Sequence, residues 1–152
     1  MNLLPILGLG ALSGLRSMTA LAFLSDQASK DSYDGSLLQI LLKQPQTALL
    51  LKMMAVGEMV MDKTPFVPSR LQAIPLVGRA VCGGFVGAAI SKKQPLQGAC
   101  VGALAAIAGS YGAYYARKTL HDEVNIPDPL LGVVEDTIVV FASRALIPAT
   151  KR

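Results

Sequence analysis

Leu3–Leu24, LLPILGLGALSGLRSMTALAFL, is largely apolar and carries a single charge, Arg16. A helix of this length can cross the roughly 30 Å of hydrocarbon in a bilayer, so the reading of this run decides the fold. An ionisable group inside such a segment costs roughly 2.5–3.5 kcal/mol on insertion scales. It therefore faces a protein interior or a wet cavity, and often pairs there. Gly10 and Gly14 stand one helical turn apart and allow close helix contact. Gly14, just ahead of Arg16, also permits the helix to break at that point.

Further along, other apolar segments carry charges in the same manner. Pro45 divides SLLQILLKQPQTALLLKMMAVGEMVMDK into a short interfacial helix over Leu37–Leu42 and a membrane helix over Gln46–Met61, with Glu58 near its end. Leu76–Ile90 opens close to Arg79 and holds Gly83, Gly84 and Gly87. Leu96–Ala116 sets Gly98, Gly102, Ala105, Gly109 and Ala113 at near-helical spacing, a face suited to tight packing. Leu130–Leu146 mixes Glu135, Asp136, Ser143 and Arg144 with Val, Ile and Phe, so it needs helix neighbours on its polar side. Ser25–Ser36, the proline-punctuated Asp62–Pro75 and the link RKTLHDEVNIPDP read as loops. The expected fold is all-α: a polytopic integral membrane helical bundle, one domain over residues 1–152, with four to five transmembrane helices.

Composition agrees with that class. Of 152 residues, 52% are apolar and 16% charged, whereas soluble domains carry about 25% charge. The net charge of +4 is spread over loops and helix ends rather than gathered in one stripe, which argues against a nucleic-acid partner. Trp is absent, leaving Tyr33, Tyr111, Tyr114 and Tyr115 for any aromatic belt. The first run lacks a basic n-region and is interrupted by Arg16, so it reads as a retained helix rather than a signal peptide. Basic residues nearly balance across the alternating loops, so orientation does not follow from them, and insertion in either direction fits.

Enzymatic signals are thin. There is no GxSxG, no HExxH and no Walker glycine loop, and the lone His121 in HDEV reads as solvated surface. Cys82 and Cys100 sit in Gly/Ala-rich runs without ligand neighbours and read as packing residues. No catalytic residue, metal or cofactor is expected. The candidate site is instead a polar intramembrane cluster of Arg16, Glu58, Asp62, Arg79, Glu135 and Asp136. Glu58 and Asp62, four apart, share a face if their helix continues. Glu135 and Asp136 point about 100° apart, so one can meet Arg16 or Arg79 while the other faces an aqueous pocket. The competing reading is a structural ion network that holds the bundle together. A faint internal repeat relates SGLRSMTA to VGRAVCGG, each followed by a later helix carrying paired carboxylates.

The order GLRSM, GEMVMDKTPFVPSR, GRAVCGG, YGAYYARK and PDPLLGVVED resembles the bacterial membrane proteins grouped as domain of unknown function 4126. The likeness covers nearly the whole chain. It implies a small polytopic helical protein, with those polar positions as hallmarks, and leaves activity open. The expected role is a channel or transporter for a small ion or polar solute in the bacterial inner (cytoplasmic) membrane. The alternative is a non-catalytic accessory or scaffold subunit of a larger membrane complex. Besides lipid, the expected partner is a second copy in a dimer, meeting through the small-residue faces of the third and fourth segments.

Overall fold

The opening apolar run folds as two helices, α1 (Leu3–Leu15) and α2 (Ser17–Lys30), with Arg16 between them. The computed structural model describes residues 3–30, 37–61, 72–91, 93–124 and 128–146. Over those residues it continues with α3 (Leu37–Lys43), α4 (Pro45–Met61), α5 (Ala73–Ile90), α6 (Pro95–Val124) and α7 (Asp128–Leu146). No strand occurs among the described residues. Pro45 separates α3 from α4 as its sequence position implies, because proline at the first helical position gives up only a donor that has no intrahelical partner.

Three loop readings need correction. Ser25–Lys30 belongs to α2, where the Ser25 hydroxyl donates to the Leu42 carbonyl at 2.6 Å and Asp26 pairs with Lys52 at 2.7 Å. Arg117–Val124 extends α6 rather than forming a link, and Ala73–Pro75 opens α5. Polarity marks solvent or a partner, and a helix with either can continue through it. The rest of the proline-rich stretch, 62–71, lies outside the described residues.

A bundle of α1, α5 and α6 forms the densest part of the molecule, and its register is set by small residues. A Cβ on Gly102 would land on the Gly83 carbonyl, and one on Gly87 would land on the Gly98 carbonyl, so α5 and α6 run antiparallel with backbones in direct contact. A Cβ on Gly10 would meet Gly102, and one on Gly14 would strike the Ala106 carbonyl, which makes α1 parallel to α6. Ser91 closes the α5–α6 turn, its hydroxyl donating to the Gln94 carbonyl at 3.0 Å. These small-residue faces meet within one chain, which corrects their assignment to contacts between copies. Apolar packing continues from Leu9 and Leu12 through Leu21, Leu24 and Leu42 to Val86 and Val139. Cys82 joins this core, whereas Cys100 is exposed on α6 and is not a packing residue.

Among the described residues, two helices are long and apolar enough to cross a membrane: α5 over its full length, and α6 over Pro95–His121. α1 is as apolar but shorter, because the break at Arg16 ends it. Beside the apolar core, polar groups are buried and large apolar side chains are exposed. Arg16, Ser13, Ser110 and Ser143 are wholly buried, while Ile74, Leu96 and Phe141 are 88%, 77% and 69% exposed.

Candidate functional site

The break at Arg16 leaves backbone groups that a continuous helix would have paired internally. The Arg16 N–H still donates to the Leu12 carbonyl at 2.9 Å, which completes α1. The next two amides do not look back along the chain. Ser17 N–H donates to Glu58 Oε1 at 3.0 Å and Met18 N–H donates to Oε2 at 3.1 Å. The Ser17 hydroxyl adds a third bond to Oε1 at 2.8 Å. Glu58 of α4 thus caps α2 from another helix, satisfying donors that a helix start exposes and placing negative charge at the positive end of its dipole. On the α1 side, the Gly14 carbonyl accepts from Ser110 Oγ of α6 at 3.0 Å. Both sides of the break are therefore closed by side chains from other helices.

Arg16 itself turns into the protein and is wholly buried. Its Nη1 donates to the backbone carbonyl of Glu58 at 3.3 Å, and its Nη2 forms an ion pair with Asp136 Oδ1 of α7 at 2.6 Å. The carbonyl lies in the last turn of α4 as described, where a cation complements the helix dipole. The exchange is reciprocal: α4 supplies a carboxylate to the start of α2, and the residue before α2 supplies a guanidinium to the end of α4. A buried charge left without its partner is expensive, so this three-helix junction holds only while all its members are present.

Arg16, Glu58 and Asp136 are therefore brought together. Asp136 is the one of the two neighbouring carboxylates that meets Arg16, and Glu135, about 100° round α7, pairs with Arg117 of α6 at 2.8 Å. Arg79 is buried on α5. It stands one turn before Gly83, which shares Gly102 with Gly10, so Arg79 lies near the level of Gly14. One turn on, Cys82 is buried within reach of the Glu58 charge. Asp62 lies outside the described residues.

Ser17, Ser110 and Arg117 are the contributors that sequence reading missed. Ser17 was visible as the residue after the break, where hydroxyls favour helix starts. Ser110 sat within a small-residue stripe, and Arg117 was hidden by reading its segment as a loop. Chemically the junction is rich in donors: two amides, one hydroxyl and a guanidinium face two carboxylates. Among the described residues no group of three or more His, Cys, Asp or Glu is placed to hold a metal ion.

The model of the family described as Domain of unknown function (DUF4126) fits residues 3–148. No curated protein and no solved structure matches the chain.

Proposed function

The chain belongs to the DUF4126 family, and we propose that it is a polytopic bacterial inner-membrane protein whose Arg16–Glu58–Asp136 junction forms part of a route for a small ion or polar solute. Crossings by α1–α2 taken as one broken span, α4, α5, α6 and α7 make the count five. Large apolar side chains on the outside and buried Arg and Ser on the inside support a lipid-facing surface. The observation that carries the functional reading is the helix broken at a buried arginine. Irregular backbone at membrane depth is tolerated where it is enclosed by protein or lines a cavity, and broken helices with ionisable groups mark solute sites in transporters. Flux into proteoliposomes across a panel of ions and polar metabolites tests the proposal, and Glu58→Gln should reduce whatever flux the wild type shows.

A scaffold subunit is the second reading, favoured by one feature: both Glu58 oxygens already accept bonds from the chain itself. Absence of flux for every solute, together with stoichiometric co-purification with one membrane complex, would establish that reading instead. For either role we propose a homodimer, meeting through large apolar side chains such as those α4 and α7 expose, Met53 and Phe141 among them. A monomer mass in mild detergent would reject the dimer.

A further inference from the structure

The donors at the α2 start already hold a carboxylate, and that carboxylate belongs to the protein. Ser17 N–H, Ser17 Oγ and Met18 N–H converge on Glu58, with the buried Arg16 guanidinium alongside. A helix N-terminus of this kind binds anions through its amides and its dipole. Cations are poorly served here, since they require several oxygen ligands and the groups that face Glu58 are N–H and O–H donors.

A second observation points the same way. Thr19, in the first turn of α2, is 3% exposed, and its hydroxyl has no hydrogen-bond partner among the described residues. Buried hydroxyls are almost always paired. Thr19 stands two turns before Asp26, which pairs with Lys52 of α4, so it lies on the face of α2 turned to α4, and helical side chains lean towards the N-terminal end where Glu58 sits. No hydrogen bond joins it to the Glu58 carboxylate, so it is a donor at this end of the helix that Glu58 leaves unused.

We infer that the start of α2 is an anion site, that Glu58 fills it as a tethered stand-in, and that the solute of this junction is a small carboxylate that takes its place. The inference rests on reading the junction as a solute site and names the class of solute. Glu58 is then an internal competitor, present at the high effective concentration that a tether gives. Displacing it frees the end of α4 from the start of α2, which couples occupancy to the packing of those helices.

Thermal unfolding of the purified protein in detergent, titrated with sodium acetate against sodium chloride at equal ionic strength, tests this. Glu58→Ala should gain stability from acetate in a saturable manner and gain none from chloride. The wild type should need about tenfold more acetate for the same fractional response, because its own carboxylate competes. Adding Thr19→Val to Glu58→Ala should weaken the acetate response several-fold. Equal responses to acetate and chloride, or identical acetate curves for wild type and Glu58→Ala, would overturn the inference. If Glu58→Ala does not fold, Glu58→Gln keeps the side-chain volume without the charge, and the same comparison is read there. An acetate response without flux of any solute removes the transport reading and leaves the anion site. Flux without an acetate response does the reverse.

Discussion

The α5–α6 seam and the Arg16 junction are two ways of holding helices together where apolar side chains face outward. At the seam, Gly83, Gly87, Gly98 and Gly102 let backbone touch backbone, and the attraction is short-ranged packing of many atoms. At the junction, three helices meet through a handful of charged and polar groups, each directional and each dependent on the others. The seam tolerates no added volume but is indifferent to charge. The junction should accept a change of shape more readily than an unbalanced charge. One fixes register, and the other ties three helices together through charge.

Substitutions separate the two. Gly102→Leu should be the most damaging, because its side chain would have to displace the Gly83 backbone, and backbone cannot step aside as a flexible side chain can. Loss of the folded peak in gel filtration is the expected outcome, whereas Gly112→Leu, with nothing near its Cβ position, should elute normally. Equal yields for the two would show that the seam does not set the register. Arg16→Leu comes next, at about 3–5 kcal/mol, since it takes a wholly buried guanidinium away from Asp136 and from the Glu58 carbonyl. Arg16→Leu combined with Asp136→Leu should be milder than Arg16→Leu alone by unfolding midpoint, and additive losses would mean the pair is not coupled.

Glu58→Gln should cost about 1–2 kcal/mol, because the amide oxygen keeps part of the cap while the charge that complements the α2 dipole is lost. A loss as large as that of Arg16→Leu would place Glu58, not Arg16, at the centre of the junction. Lys52→Ala is the smallest effect. Its bridge to Asp26 is exposed, with the lysine side chain 53% accessible, and such pairs contribute about 0–1 kcal/mol.

How far these two regions could be read from sequence follows from the same physics. Small residues at helical spacing foretell a close helix contact, but not whether the facing helix belongs to the same chain. The seam's residues were visible while their partner was misplaced. At the junction, Gly14 ahead of Arg16 allowed the break to be foreseen, and Pro45 fixed the α3–α4 boundary within a residue or two. The division between Glu135 and Asp136 was not readable. Neighbouring helical residues point about 100° apart, and which way each faces depends on how α7 is rotated against α1, α2 and α6. Arg117 escaped notice because charge was taken to end α6, when a carboxylate on α7 lets the helix carry that charge inward. The number of crossings could not be counted from apolar lengths, since a helix interrupted at Arg16 falls short of a span on either side.

The short turn from Ser91 to Gln94 has a consequence for how the chain is made. α5 and α6 are neighbours in sequence and antiparallel in space, and they are the two most membrane-like helices, so they can pair as soon as both have emerged. α1 is synthesised long before them, yet its glycines pack on α6, and the arginine that follows it pairs with a carboxylate on α7. During synthesis the buried charge of Arg16 therefore lacks that counter-ion until α7 arrives. Arrival of α7, rather than of any earlier helix, is the event that forms this ion pair.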